Sequence, residues 1–199
     1  NRFRELTAGR FVVSYFGNMG TMQDMDTILG AIRALREEKG VFFLFAGHGN
    51  KMEKLREIIA QESIENARIH SFLHGQDFQD ALAVSDCALI SLEKGATGLC
   101  VPSKTYSYMM QGIPLLAIMD ECDIVRDIQS GAGLWVHNGE SERLAEAIRF
   151  LRDNPEKARD MRRKCRELYL QKYTEICTGK YVSLFRELLH PETGEENEL

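Results

Sequence analysis

Apolar positions in this chain form two kinds of pattern: short unbroken runs, and runs spaced at the period of a helix. The unbroken runs are rich in β-branched and aromatic residues. They are FVVSYF (11–16), VFFLFAG (41–47), the weaker RIHSFL (68–73), DCALISL (86–92), IPLLAI (113–118) and GLWVH (133–137). Apolar throughout, such runs predict strands covered on both faces. Helical spacing fills the gaps. Ile28, Leu29, Ile32 and Leu35 recur before Gly40, and Met52, Leu55, Ile58 and Ile59 mark a helix near 51–63. Shorter helices are predicted over 77–85, from Ser103 to Gln111 with Gly112 as its stop, and over 122–130. Beyond 137 the pattern is helical only. Leu144, Ile148 and Leu151 define one helix, Asn154-Pro155 opens another as N-cap and first-turn proline, and a last one runs from Thr174 to Leu189.

Strands alternating with helices predict an α/β fold: a doubly wound, Rossmann-like parallel sheet with helices on both faces and extra C-terminal helices. Ligands in such sheets bind beyond the carboxyl ends of the strands. The loops to read are therefore Gly17–Thr21, Gly47–Lys51, Leu73–Asp77, Leu92–Lys104 and Met119–Asp123.

Composition narrows the classes. The chain has 199 residues, 44% of them apolar, which suffices for a sizeable core. A net charge of −5 gives no footprint for nucleic acid. No apolar run reaches the ~18 residues of a membrane span, and NRFRELTAGR lacks the apolar stretch of a signal peptide. Five cysteines (Cys87, Cys100, Cys122, Cys165 and Cys177) have neither zinc-ligand nor C-x-x-C spacing, and read as reduced thiols in a cytoplasmic protein. The end of the chain, 190–199, is acidic and apolar-poor, and is expected to be a disordered tail.

The loops carry the candidate chemistry. GNMG, with Gly17, Asn18 and Gly20, either makes the tight turn this fold needs or lets a backbone approach phosphate closely. Gly47 and Gly49 do not extend to G-x-G-x-x-G, because Met52 stands at the third glycine's place, so the dinucleotide fingerprint fails. Lys104 lies in the first turn of a predicted helix, against the helix dipole. It is either a solvated surface lysine or, beside an N-capping Ser103, a cation facing the strand-end crevice where an anion would sit. Asp24 and Asp26 are two apart at a helix start and face different sides, so they are not expected to share a metal. His70 and His74 fall on a strand and its exit loop. Trp135 reads as a core or interface residue, and Cys100 as an inert thiol.

Laid side by side, these loops resemble the C-terminal, donor-binding half of a GT-B glycosyltransferase of group 1, or family 4. The resemblance is nearest to the bacterial branch that builds O-antigen and capsule, aminosugar transferases included. YFGNMGTMQDMDTILGAI, FLFAGHGNKMEKL, ALAVSDCALISL, VPSKTYSYMMQGIPLLAI and SGAGLWV follow that branch's motifs in order, over about residues 11–172. The resemblance implies a nucleotide-sugar donor-binding domain over 1–189 and retaining transfer from a nucleoside-diphosphate sugar, UDP-linked in most of that branch. It implies neither cofactor nor metal. Gly17, Asn18 and Gly20 would lie by the sugar and phosphates, and Gly47 and Gly49 would admit the nucleotide. Phe72 and Leu73 would border the base, while Ser103 and the catalytic Lys104 hold the diphosphate. The partner would be an N-terminal acceptor-binding domain, through which any membrane contact would run, and the chain reads as an excised or partner-dependent half. Two departures stand out. Ser107 occupies the place of a glutamate that grips the ribose, and Leu99 that of a second glutamate. Asn18 and Gln23 stand where wider relatives have a basic pair. Two alternatives remain: a nucleotide-sugar epimerase of the same architecture, and a noncatalytic interaction module. An acid elsewhere, such as Glu93, could replace the missing carboxylate.

Overall fold

The structure is a computed structural model that describes residues 1–7 and 9–189; the tail expected at 190–199 lies outside the described residues. Its centre is a six-stranded, all-parallel sheet in the order β3-β2-β1-β4-β5-β6. The strands are β1 (Phe11–Asn18), β2 (Val41–His48), β3 (Ala67–Ser71), β4 (Cys87–Ser91), β5 (Leu115–Ile118) and β6 (Gly133–Val136). The apolar runs of β1, β2, β4 and β5 became strands for a common reason: both of their faces are covered, whereas the edge strand β3 buries only Ala67. Val13, Phe43, Phe45, Leu89 and Leu116 point to one side, and Val12, Phe42, Leu44, Ile90 and Leu115 to the other, all fully or almost fully buried.

Helices α2 (Met25–Ala34), α3 (Asn50–Gln61) and α7 (Ser141–Asp153) cover the first side. Their buried stripes include Ile28, Leu29 and Ile32; Leu55; and Leu144, Ile148 and Leu151. The second side takes α1 (Arg2–Thr7), α4 (Gly75–Ala83), α5 (Lys104–Met110), α6 (Asp123–Asp127) and the lower part of α8 (Pro155–Lys172). Helix α9 (Glu175–Leu189) follows α8. It exposes Tyr181, Leu184, Phe185 and Leu188, a single stripe at i, i+3, i+4 and i+7. None of the described helices is long and apolar enough to cross a membrane.

Several local expectations need correction. Helix α1 was not foreseen, since one and a half turns show no periodicity; burial of Phe3 holds it to the sheet. The helix expected over 122–130 is α6 followed by a π-type turn, Ile128–Ala132, which ends at Gly131 with φ +123°. Asn154 stands at the N-cap position of α8, but its side chain makes no cap bond there. Its amide instead donates to the Phe150 carbonyl at 2.9 Å, closing α7, while Pro155 does stand in the first turn. Trp135 is partly buried, and its indole N–H donates to the Met119 carbonyl at 2.8 Å.

Candidate functional site

Strand order reverses between β1 and β4, where the chain leaves β1 for one face of the sheet and β4 for the other. These two strands pair over only two residues, Val13 with Cys87 and Ser14 with Ala88. Above that point they part. The backbone N–H of Phe16 is satisfied by a side chain, donating to the Tyr108 hydroxyl at 2.6 Å. The parting opens a cavity of about 490 Å³ at the carboxyl ends of the strands. One wall is Phe16, Gly17, Asn18 and Gln23 from β1 and its loop. The opposite wall is Leu92, the 100–103 loop, and Lys104, Ser107 and Tyr108 of α5. Ala46, Phe72, Leu73 and Phe78 close the far end.

Lys104 is the centre of this cavity's electrostatics. Its stem crosses Gly17, where a Cβ would stand 3.3 Å from Lys104 Cε. Its Nζ donates to the Tyr15 hydroxyl at 2.8 Å, lies 3.5 Å from the Asn18 carbonyl oxygen, and stands 4.3 Å from the centroid of the Tyr15 ring. Burial pulls the ammonium down to about 8 from the usual 10.5, and the Cys100 thiol pushes weakly the other way. Among the described residues no carboxylate pairs with it. Lys104 is therefore neither a solvated lysine nor half of a salt bridge. A half-buried cation without a counter-ion bears part of the desolvation cost of a charge, and an anion in the cavity would relieve it.

The rest of the expected anion cradle is altered. Ser103 is not an N-cap: it has helical angles (φ −56°, ψ −26°) and its hydroxyl caps nothing. The N–H groups of Thr105 and Tyr106 are used inside the turn, donating to Pro102 and Ser103 carbonyls at 3.0 and 3.2 Å. Helix α5 has seven residues and contributes little dipole. The lysine side chain, rather than a helix end, carries the positive charge.

The glycines divide. Gly17 lines the cavity, whereas Gly20, Gly47 and Gly49 do not. Gly47 stands against Gly17 across the β1–β2 ladder, and a Cβ there would fall 1.9 Å from the Gly17 carbonyl oxygen. At Gly49 it would fall 2.4 Å from the Met19 carbonyl oxygen. These two glycines let the first two loops pack on each other. The loops are also stitched by Met19 N–H to the His48 carbonyl at 2.7 Å and Lys51 N–H to the Met19 carbonyl at 2.9 Å.

Phe72, about half exposed, stands between His48 (ring centroids 5.5 Å apart) and His74 (4.7 Å), an aromatic platform at the rim. His70 packs edge-on against Phe3. Glu93 does not face the cavity as a spare acid. It pairs with Lys51, whose Nζ also donates to the Gln23 carbonyl at 2.7 Å. Gln23 in turn accepts from Gly20 N–H at 3.0 Å through Oε1. Asp24 caps α2: its carboxylate accepts from Thr27 N–H at 2.9 Å, from the Thr27 hydroxyl, and from the Asn138 amide at 2.7 Å. Asp26 is exposed. Among the described residues no group of three metal-binding side chains forms. Sequence reasoning missed Tyr15 and Tyr108. The signal was available, since a tyrosine in a buried strand or helix needs a partner for its hydroxyl.

A family model described as "Glycosyl transferases group 1" matches residues 10–154. A Pseudomonas aeruginosa protein provisionally named glycosyltransferase WbjE is 34% identical over 113 residues, which are 57% of this chain and 28% of that protein. The chain thus spans under a third of that curated relative. A crystal structure of Anabaena Alr3699/HepE in complex with UDP-glucose superposes with a TM-score of 0.76 at 16% identity, covering 94% of this chain and 51% of that one. The C-terminal domain of a group 1 glycosyl transferase from Francisella tularensis gives a TM-score of 0.64 at 14% identity, covering 86% and 90%. The two structures share the fold.

Proposed function

The chain belongs to the group 1 glycosyl transferases, and from that membership and the cavity we propose that it is the donor-binding half of a retaining enzyme using a UDP-sugar. The observation that carries the reading is Lys104, a half-buried ammonium with no carboxylate partner among the described residues, set into the crevice where the strand order reverses. The diphosphate would lie against Lys104, Gly17 and Asn18, with Ser103 beside it. The nucleoside would extend toward Phe72 and Leu73, and Ser107 would face the ribose. UDP-glucose in the structure of HepE supports this choice of donor.

In the reaction, the bond from the sugar's anomeric carbon to the diphosphate breaks. A bond from that carbon to an acceptor hydroxyl oxygen forms on the same face, and the hydroxyl proton leaves with the departing phosphate or to water. Lys104 neutralises the charge that builds on the diphosphate. This reading places the charge stabilisation on Lys104 and not on a metal; of Asp24 and Asp26, Asp24 is occupied in capping α2. The acceptor would be held by an N-terminal domain, in polysaccharide synthesis on the cytoplasmic side. The exposed apolar stripe of α9 is a surface such a domain could cover.

Calorimetric titration of UDP, UMP and uridine tests the reading. Affinity should fall from UDP to uridine, and Lys104→Met should remove most of that difference. Equal binding of all three ligands would overturn it.

A further inference from the structure

Tyr15 lies in β1, fully buried, with its ring 6.2 Å from that of Phe45. A phenol has one proton and accepting lone pairs. Here the proton goes to the Asn18 carbonyl at 2.9 Å, so the oxygen meets Lys104 Nζ as an acceptor, at 2.8 Å. The arrangement is a relay of fixed polarity, from ammonium to phenol to carbonyl, anchored at one end in packed core. The groups that face Lys104 are few: Tyr15 and the Asn18 carbonyl from β1, and Cys100 from the β4–α5 loop. A lysine carries four rotatable bonds and loses much side-chain entropy when held in one place. An ammonium without a carboxylate partner would otherwise turn toward water.

We propose that Tyr15 is the positioning residue for Lys104: its hydroxyl takes one N–H of the ammonium, beside the longer contact to the Asn18 carbonyl, and so directs the remaining donor capacity at the diphosphate in the cavity. The proposal rests on the donor-binding reading above and adds to it a residue buried behind the cavity wall. Tyr15 touches no ligand. It acts by keeping the cation charged and in place, at a spot where burial alone would favour its release or its deprotonation.

Tyr15→Phe keeps the ring and removes the relay. In the purified chain it should weaken UDP binding roughly 3- to 10-fold, the range for one hydrogen bond, and leave uridine binding unchanged. In a Lys104→Met background the same substitution should have no further effect on UDP, since neighbours acting through one group are not additive. Because the phenol oxygen stabilises the charged lysine, UDP affinity in Tyr15→Phe should begin to fall at a lower pH than in the parent. Equal losses for UDP and uridine, or an undiminished loss in the Lys104→Met background, would show a structural role only and overturn the proposal. If Lys104→Met weakens UDP while Tyr15→Phe does not, the Tyr15 assignment fails and the donor reading stands. If neither variant changes UDP binding, both fail.

Discussion

Gly47 and Gly17 stand side by side in the parallel ladder, so close that a Cβ on Gly47 would overlap the Gly17 carbonyl oxygen at 1.9 Å. Gly47 also has φ +155°, where side chains are rarely tolerated. The glycine serves the seam between the first two strand-end loops. Gly47→Ala should therefore destabilise the fold by about 3 kcal/mol, from backbone overlap and strain together. Gly20→Ala is the contrast. It would meet only the Asn18 side chain, at 2.9 Å, and that amide can turn away, so about 1 kcal/mol or less is expected. Urea unfolding of both variants checks this; equal midpoints would remove the packing argument.

Lys104→Met should move binding and stability in opposite directions. Losing a hydrogen bond to a charged group costs roughly 1.5–3 kcal/mol, or about 10- to 150-fold in UDP affinity. Stability should rise, because the half-buried ammonium disfavours the folded state. The sign follows from linkage. With its value lowered to about 8 from 10.5, folded Lys104 binds fewer protons than the unfolded chain between those pH values, so stability at this group increases with pH across that window. Lys104→Met should thus melt higher than the parent at pH 7, and the gap should shrink as pH rises through and beyond about 8. A variant that melts lower at pH 7 would contradict the burial argument.

Affinity for UDP should be flat with pH below about 8 and fall above it, as free Lys104 loses its proton. The terminal phosphate, with a second pKa of about 6, is already ionised there and does not produce the break. Titrations from pH 7 to 9.5 on parent and Lys104→Met separate the two groups. A break that survives in Lys104→Met belongs to something else.

Ser107 lies one turn from Lys104 on α5, on the same face of the cavity. Ser107→Glu would place a carboxylate where ribose hydroxyls are expected and should tighten UDP binding by about 1.5–3 kcal/mol if both hydroxyls are gripped. The gain should be smaller for the 2′-deoxy analogue, which offers one hydroxyl fewer. Equal gains for both would mean that the new carboxylate acts through Lys104 instead.

Asp24 ties the β1–α2 loop to the loop after β6 through its cap of α2 and its bond to Asn138. Asp24→Ala should cost about 2 kcal/mol, combining a lost cap with a lost charged hydrogen bond. UDP affinity in the parent should be the same with EDTA as with Mg²⁺. A tenfold drop on chelation would place a metal in the site after all.

Much of the molecule was legible in the order of its residues. The runs of β1, β2, β4 and β5 read as buried strands, because a segment apolar on both faces must be covered on both; RIHSFL, mixed in polarity, became the half-exposed edge strand β3. Helical periodicity between them then left a doubly wound sheet as the natural closure. Lys104, Gly17, Asn18 and Ser103 lie in strand-end loops, where such a sheet leaves space, while Phe72, Leu73 and Ser107 were nominated by the family resemblance, and all seven line one cavity. What the order of residues could not express was how loops distant in sequence press on one another. Nothing in the order of residues announced that Gly47 and Gly49 each stand against the backbone of the neighbouring loop. Glu93 looked like a spare acid and is paired with Lys51. Above all, whether Lys104 was a solvated lysine or a half-buried cation depended on Tyr15, eighty-nine residues away. Burial and hydrogen-bond partners are properties of surroundings, and the surroundings of Lys104 come into being only when β1 and β4 are brought side by side and then part.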